Sequence, residues 1–387
     1  MGITNIKSKN FKIGFSNIQK KNGINFWRFF FTGTNKISKE DCTFYLEFEM
    51  INPNISPSQP ISNLKQKEIL AEDFQSALID NCTDLTKTYE KSSYCVLRIA
   101  KLGKNPKQLC QYFPINDIDF NFKPFEIKIG DKLLSENKLT GFLNISKNDL
   151  LKNPEFLSNS GYATWYLEYK ITKSLTKGFK NDIQRWFPLG IKSEFTGKIN
   201  FDGEDFIVSP QNSNGYIERF FGSAFPKSWF HIHSSDLISL ISGKKLKNSN
   251  FCIQGVFENK VSFAGNLEDI ETAFYANKSK RSYNCVFDCT QFPGSENSSE
   301  QLLHWSFSIN NKNRVIDIEI FCRLNELLNR FLESPEGEKK GLNLLEGGSG
   351  YGELKLYKQD GKAIEQIEHA KLKNAVCEFG ETDTFGE

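Results

Sequence analysis

Residues 165–171 read Trp-Tyr-Leu-Glu-Tyr-Lys-Ile, and this alternation of side chains decides the fold class. Successive side chains of a β-strand point to opposite faces, so a repeat of two predicts a strand with one buried face. The same repeat recurs in Phe44–Met50, Phe251–Phe257 and Ile316–Ile320. Such strands are typical of antiparallel sheets that pack one face on a core. The sequence therefore predicts a mainly β protein.

Turn residues separate the predicted strands. Asp202-Gly203 lies between Ile199–Phe201 and Phe206–Val208, which is typical of a two-residue hairpin turn. Asp360-Gly361 predicts a second hairpin, and Asn310–Asn313 predicts a third. Short strands joined in this way favour sandwiches or barrels.

Helices are predicted at two places, Leu64–Ile79 and Leu324–Leu332, where apolar residues follow a helical stripe. A third segment, Gly347–Gly352, superficially resembles a phosphate-binding loop. It lacks the P-loop lysine and the strand–loop–helix context, and Glu353–Tyr357 after it alternates like a strand. A flexible turn is the interpretation that we adopt for Gly347–Gly352.

The chain length predicts two domains. A chain of 387 residues exceeds one ordinary core, and 35 of its residues are Phe, which can fill wide interiors or line apolar cavities. The polar stretch Ser209–Asn214 is the best candidate boundary. We therefore expect an N-terminal β domain over residues 1–208 and a C-terminal β domain over residues 209–387.

Composition limits the class of partner and the compartment. The net charge of +2 gives no general attraction to nucleic acid, so no nucleic-acid partner is expected. No stretch has the ~20 continuous apolar residues of a membrane helix, and the N-terminus lacks a signal-peptide pattern. The nine scattered cysteines suit reduced thiols better than a disulfide framework. We expect a cytoplasmic protein without an integral membrane segment; its oligomeric state stays open.

The stretch Gly215–His233, GYIERFFGSAFPKSWFHIH, holds most of the candidate functional side chains. In a strand, His231 and His233 face the same side and their imidazoles converge. Two histidines alone are weak evidence for metal, because a third ligand would have to come from elsewhere in the fold. Polar pocket residues or hydrogen-bonded structural histidines are the alternatives, and we predict neither a metal nor a cofactor.

Glu218, Arg219 and Trp229 lie in the same aromatic stretch. A carboxyl group among aromatic rings has a raised pKa and can donate a proton. The alternative is a buried ion pair or a hydrogen bond that fixes strand register, because buried charges are usually paired. Trp229 either packs against a ligand or belongs to the core.

The same stretch resembles the tocopherol cyclase family, which is related to lipocalin-like proteins of the carotenoid 1,2-hydratase kind. The matching residues are Gly215-Tyr216-Ile217-Glu218-Arg219, Phe221-Gly222, Phe225-Pro226 and Ser228-Trp229. Lys91–Phe113, Asn121–Phe142 and Gly352–Phe379 also look similar to family segments. Phe221 stands where the family usually has Trp, and His231 stands where it has another aromatic residue. The resemblance implies two lipocalin-like antiparallel β-barrel or sandwich domains with a few short helices.

The resemblance also implies an apolar ligand, since characterised family members act on long isoprenoids. Our leading hypothesis is a protein that binds a lipid-like or isoprenoid-like molecule in an apolar β-barrel cavity. A cyclase or hydratase that protonates an alkene is one alternative, and a structural or protein-interaction scaffold without a ligand is the other. The candidate catalytic residues are Glu218, His231 and His233, and the candidate ligand-binding residues are Tyr216, Arg219, Phe221, Phe225 and Trp229.

Overall fold

The computed structural model describes most of the chain. The described residues are 23–53, 93–122, 124–152, 158–174, 179–180, 184–224, 228–256, 260–266, 285–292, 301–311, 313–333 and 339–382. They form two antiparallel sheets, one from each half of the chain.

The first sheet is built from strands β1 to β13. Their bounds are β1 (Ile24–Asn35), β2 (Asp41–Ile51), β3 (Tyr94–Lys101), β4 (Lys107–Pro114), β5 (Ile118–Phe122), β6 (Phe125–Ile129), β7 (Lys132–Ser135), β8 (Lys138–Ile145), β9 (Gly161–Lys173), β10 (Phe179–Lys180), β11 (Gln184–Phe201), β12 (Glu204–Val208) and β13 (Gly215–Gly222). The order is β4-β3-β2-β1-β12-β11-β9-β8-β7-β6-β5, and β10 pairs with β11. Strand β13 pairs with both β1 and β11. Strand β4 also packs against β8 and β9, so the sheet curls around its own core like a barrel.

The second sheet is built from strands β14 to β23. Their bounds are β14 (Ser228–Ser234), β15 (Leu237–Ser239), β16 (Asn250–Val256), β17 (Lys260–Asn266), β18 (Cys285–Phe292), β19 (Leu302–Asn311), β20 (Arg314–Arg323), β21 (Leu328–Glu333), β22 (Lys339–Asp360) and β23 (Ala363–Thr382). The order is β17-β16-β14-β23-β22-β20-β19-β18, with β15 on β23 and β21 on β22.

The predicted fold class is confirmed as a mainly β protein of antiparallel sheets with few short helices. The helical elements of the described residues are one short helix, α1 (Lys147–Lys152), and 3₁₀ turns at Ile115–Asp117 and Leu324–Glu326. The Asp202-Gly203 hairpin is present between β11 and β12, and both turn residues have positive φ, 51° and 84°. No helix of this part of the chain is long and apolar enough to cross a membrane.

The predicted helix at Leu324–Leu332 is wrong. After the 3₁₀ turn at Leu324–Glu326, the chain forms β21, which pairs with β22 from Leu328↔Glu346 to Glu333↔Lys339. A neighbouring strand supplies the backbone hydrogen bonds there, and this tertiary pairing overrides helix propensity. The other predicted helix, Leu64–Ile79, lies outside the described residues.

The interpretation of Gly347–Gly352 as a turn is also wrong, because these residues lie inside β22. The glycines let neighbouring groups approach where a Cβ would collide. A Cβ on Gly352 would overlap the backbone carbonyl of Glu319, and one on Gly348 would lie 2.8 Å from side-chain atoms of Thr43 and Leu102. Close packing, rather than flexibility, explains this glycine-rich segment. The strand predicted at Glu353–Tyr357 is confirmed.

Strand pairing changes from the first sheet to the second between Gly222 and Ser228. The division of the chain into domains 1–208 and 209–387 stays a prediction about folding units. Strand β13, which follows residue 208 in sequence, is hydrogen-bonded within the first sheet.

Each sheet has its own apolar core, and a third packed region lies between the sheets. At this junction, Phe26 and Trp186 of the first sheet pack with Trp229 and Leu344 of the second. Strand β2 is buried on both faces, and its residues Glu47 and Glu49 are inaccessible to solvent. The expectation of one buried face is wrong for β2. It is correct for β9, where Glu168 and Lys170 are exposed.

We predict that Gly352→Ala destabilises the protein by about 2 kcal/mol or more, because the new Cβ must displace the backbone of β20. Gly361→Asn is the control. Gly361 has a φ of 58° with no atom within 4 Å of an added Cβ, and Asn tolerates that conformation. Urea unfolding followed by circular dichroism measures both, and equal midpoints for the two variants would contradict the packing explanation.

Candidate functional site

Two strands bring four of the predicted site residues together at the junction. On β13, Tyr216 and Glu218 face the second sheet, whereas Ile217 between them belongs to the core of the first sheet. On β14, His231 and His233 face the junction, and Ile232 between them belongs to the core of the second sheet. The predicted convergence of the two imidazoles is confirmed, with ring centroids 5.2 Å apart.

Glu218 is completely buried and contacts three different side chains. Its Oε2 accepts a hydrogen bond from Trp186 Nε1 at 2.7 Å and lies 3.2 Å from His231 Nε2. Its Oε1 lies 3.3 Å from Arg28 Nη1. The carboxyl group is thus held between an indole, an imidazole and a guanidinium group.

His231 connects Glu218 to a phenol. His231 Nε2 lies 3.2 Å from the hydroxyl of Tyr216, and that hydroxyl lies 3.1 Å from Cys252 Sγ. The ring of His233 stacks on the ring of Tyr216 with centroids 3.9 Å apart. Aromatic surfaces therefore surround the contact between His231 and Glu218.

Arg28, on β1, joins carboxyl groups from both sheets. Its Nε donates to Glu47 Oε2 at 2.5 Å, and its Nη1 donates to Glu378 Oε2 at 2.5 Å and to Glu346 Oε1 at 3.5 Å. Trp229 Nε1 donates to the other oxygen of Glu378 at 2.7 Å. Trp229 thus supports the ion-pair network as well as packing in the apolar junction.

Two further arginines complete this network. Arg330 Nη2 donates to Glu47 Oε1 at 2.9 Å, and its Nη1 pairs with Glu346. Arg98 Nη1 donates to Glu47 Oε1 at 2.6 Å and pairs with Glu49. We call this set the junction cluster; its members are Arg28, Arg98, Arg330, Glu47, Glu49, Glu218, Glu346 and Glu378.

The junction cluster holds three guanidinium groups and five carboxyl groups, all buried. Among these described groups, the carboxyl groups outnumber the guanidinium groups by two, and a buried surplus of negative charge favours protonation. Burial raises the pKa of Glu218 well above its ordinary value and also raises the pKa of Glu346. Burial acts in the same direction on Glu47, but Arg28, Arg330 and Arg98 hold the pKa of that carboxyl below its ordinary value. These pKa shifts favour the protonated form at Glu218 and at Glu346.

The pKa shifts of the groups around Glu218 favour their neutral forms as well. Burial lowers the pKa of His231 and of His233 well below the ordinary value, and the charge of Arg28 acts in the same direction. Burial raises the pKa of the Tyr216 phenol. A protonated carboxyl group 3.2 Å from a neutral imidazole can pass its proton to that imidazole. This arrangement can therefore carry out general acid–base chemistry.

Two predicted ligand-binding residues, Arg219 and Phe221, lie away from this arrangement. Arg219 is on the opposite face of β13, over the ring of Trp27 in the first core. Phe221 faces Phe187, with ring centroids 5.8 Å apart. Phe225 lies outside the described residues. Within the described part of the chain, no group of three or more His, Cys, Asp or Glu residues is placed to hold a metal ion.

Sequence reasoning missed most of the junction cluster, including its centre, Arg28. The available signal was a single charged residue within a strongly apolar strand. Arg28 lies in Ile24–Phe31 (INFWRFFF), and Glu378 lies in Ala375–Phe379 (AVCEF). Charged residues are rarely fully buried unless they are paired, so each of these positions predicts a partner from elsewhere in the fold.

Comparison with known proteins gives similarity to solved structures only. No protein-family model and no curated protein sequence matches this chain. An AttH protein of Nitrosomonas europaea has 11% identity over 97% of this chain and 98% of its own, with a TM-score of 0.46. Kievitone hydratase of Nectria haematococca has 11% identity over 92% and 88%, with a TM-score of 0.41. CghA, solved with Sch210972, has 9% identity over 95% and 90%, with a TM-score of 0.44. At these values the similarity assigns neither a reaction nor a site residue to this chain.

We predict that Arg28→Met destabilises the protein by about 3–5 kcal/mol, because it leaves buried carboxylates without their shared cation. The control is Lys101→Met, which breaks the partly exposed pair between Lys101 and Glu204 and is expected to cost less than about 1 kcal/mol. Urea unfolding measures both. Similar costs for the two variants would contradict the central role of Arg28.

The raised pKa of Glu218 predicts a specific pH dependence of stability. The folded state keeps a proton that the unfolded chain releases above its ordinary pKa of 4.5, so this contribution to stability falls as pH rises from about 4.5 through the raised pKa. Because glutamine does not titrate, Glu218→Gln does not lose stability in this way as pH rises. The melting temperature of Glu218→Gln minus that of the unaltered protein is therefore expected to increase from pH 5 to pH 8.

The matched control is Glu353→Gln, at an exposed Glu–His pair with 2.9 Å between Glu353 and His369. The hydrogen bond from His369 lowers the pKa of Glu353, so its contribution has the opposite sign and is lost as pH falls below about 4.5. Contributions of His231 and His233 are lost below about pH 6.5, so the increase of the difference between pH 7 and pH 8 reports on Glu218. A flat or falling difference for Glu218→Gln would contradict the protonated carboxyl.

Proposed function

We propose that the protein is an acid–base enzyme that protonates a carbon–carbon double bond of an apolar small molecule at the junction of its two sheets. The observation that carries the proposal is the contact of Glu218 with His231 at 3.2 Å, in which the carboxyl group has a raised pKa and the imidazole a lowered one. A carboxyl group that stays protonated at neutral pH is the acid that such a reaction needs.

The proposed step is an electrophilic addition. The Glu218 proton bonds to one alkene carbon through the π electron pair, which leaves a cation on the neighbouring carbon. The oxygen of water or of a hydroxyl group of the substrate bonds to that cation and releases its proton to His231. His231 returns the proton to Glu218, so the enzyme ends the cycle unchanged. The product is the hydrated or the cyclised substrate.

The surrounding side chains have supporting roles in this proposal. The rings of Trp186 and Tyr216 are placed beside the acid, where their faces stabilise a developing cation. Arg28 positions Glu218 and compensates its carboxylate after the proton has left. Because Glu218 and His231 are fully buried, substrate entry requires local separation of the two sheets at the junction.

A second candidate function is binding without a reaction, and a different observation supports it. The first sheet has a concavity of about 400 Å³, within the range of small-molecule sites. Its lining residues are Pro124, Phe125, Glu126, Ser135, Glu136, Asn137, Tyr169, Lys170 and Ile171. An apolar ligand in this concavity corresponds to the hypothesis of a lipid-like or isoprenoid-like molecule in a β-barrel.

We expect the enzyme to modify one or more unsaturated isoprenoids, and Glu218→Gln to lower the rate by about 100-fold or more, because an amide cannot replace a general acid. The assay incubates the protein in D₂O with squalene, geranylgeraniol or a prenylated hydroquinone. Mass spectrometry then detects deuterium in a hydrated or cyclised product.

Glu353→Gln is the control for this assay, because it makes the same substitution beside another histidine on the surface. Its rate is expected to equal that of the unaltered protein. Equal rates for Glu218→Gln and the unaltered protein would overturn the role of Glu218. Absence of product from every substrate would favour the scaffold hypothesis, in which the junction cluster only joins the two sheets.

A further inference from the structure

The two oxygens of Glu218 have different neighbours. Oε1 lies 3.3 Å from Arg28 Nη1, and a guanidinium group can only donate hydrogen bonds, so Oε1 is an acceptor. A proton on this carboxyl group therefore belongs on Oε2, which lies 3.2 Å from His231 Nε2. Oε2 also accepts the hydrogen bond from Trp186 Nε1, which its remaining lone pair allows. The contact between Glu218 and His231 is thus an O–H donor that faces a ring nitrogen.

This contact decides which nitrogen of His231 carries a hydrogen. A neutral imidazole has one N–H group and one acceptor nitrogen, and burial lowers the pKa of His231 well below its ordinary value, which favours the neutral ring. Because Nε2 accepts the proton of Glu218, the hydrogen lies on Nδ1. Within the described part of the chain, Nδ1 has no hydrogen-bond partner that would oppose this tautomer.

The hydroxyl group of Tyr216 is the second neighbour of the same nitrogen. Its oxygen lies 3.2 Å from His231 Nε2 and 3.1 Å from Cys252 Sγ. Burial raises the pKa of both Tyr216 and Cys252, so both groups keep their hydrogens. Since Glu218 occupies the lone pair of Nε2, the hydroxyl hydrogen points to Sγ. The oxygen of Tyr216 then presents its own lone pairs to Nε2.

Ring packing holds the Tyr216 hydroxyl in this position. The ring of His233 stacks on the ring of Tyr216 with centroids 3.9 Å apart, and the ring of Phe30 lies 6.1 Å from it. The whole side chain of Tyr216 is buried. An acceptor that is held in place before charge develops stabilises that charge without reorganisation.

We propose that Tyr216 is a positioning residue, whose hydroxyl oxygen accepts a hydrogen bond from His231 Nε2 once that nitrogen has taken up a proton. This role rests on the proposed function, in which the added water or hydroxyl group releases its proton to His231. Nε2 then carries a hydrogen between Glu218 Oε2 and the Tyr216 oxygen, and its positive charge strengthens both hydrogen bonds. The proton finally moves from Nε2 to Glu218, and Tyr216 gains and loses none.

Tyr216→Phe tests this role, because it removes the hydroxyl group and keeps the ring. The assay in D₂O uses any substrate that the unaltered protein converts. We expect kcat to fall at least about 10-fold and KM to change by less than about 2-fold, since the lost hydrogen bond to a charged group forms only after the substrate has bound.

The matched control is Tyr45→Phe. Tyr45 is also buried, and its ring lies 5.9 Å from the same ring of Phe30. Its hydroxyl group donates to Gln108 and not to the site. We expect kcat of this variant to equal that of the unaltered protein.

The outcomes separate this role from the proposed function. If the unaltered protein converts a substrate and Tyr216→Phe has the same kcat, the role of Tyr216 is overturned and the proposed function stands. If Tyr216→Phe and Tyr45→Phe lose kcat equally, the loss belongs to any buried phenol of the junction, and the role is also overturned. If the unaltered protein converts no substrate, the proposed function and this role both fail.

A second measurement decides even if Tyr216→Phe does not fold. The chain has four histidines, so ¹⁵N labelling of histidine gives a small set of ring signals by NMR, and His231→Gln identifies the signals of His231. In the unaltered protein at pH 7, we expect the hydrogen of the His231 ring on Nδ1. A hydrogen on Nε2 would overturn the inference, because Nε2 would then lack the lone pair that accepts the proton of Glu218.

Discussion

The fold depends on the burial of Arg28 between two sheets. Its guanidinium group contacts carboxyl groups of β2 and β13 in the first sheet and of β22 and β23 in the second. Buried ions are costly, and the cost is offset only when partners and hydrogen bonds are placed well. Because these partners lie far apart in sequence, the pairing at Arg28 requires both sheets to be formed and docked in one arrangement.

Two neighbouring residues of β13, Glu218 and Arg219, point into different environments. Glu218 enters the junction, where carboxyl groups outnumber guanidinium groups, and Arg219 enters the first core, where the described residues provide no anion for it. Strand alternation alone separates the two side chains, since consecutive residues point to opposite faces. Glu218 and Arg219 look like an ion pair in the sequence, but in the fold they have different partners on opposite faces of β13.

Sequence periodicity predicts where the strands lie, but it does not predict what each face of a strand packs against. The alternation around Phe44–Met50 predicts β2 correctly, but a repeat of two cannot tell that Glu47 and Glu49 meet another sheet instead of water. In the sequence alone, the glycines of Gly347–Gly352 resemble a turn. The residues that they pack against, such as Glu319, lie on other strands, so the sequence does not show why glycine is needed there. The site shows the same limit: His231 and His233 converge as strand geometry predicts, whereas Arg28 acquires its role only through contacts between the sheets.

The proposed chemistry depends on a protonated Glu218 in the junction cluster at neutral pH. Infrared difference spectroscopy between the unaltered protein and Glu218→Gln, in D₂O at pH 7, tests this most directly, because a protonated carboxyl group has a C=O stretching band that a carboxylate lacks. We expect this band to be present in the unaltered protein and missing from the variant. A difference spectrum that contains only the carboxylate bands of Glu218 would contradict it.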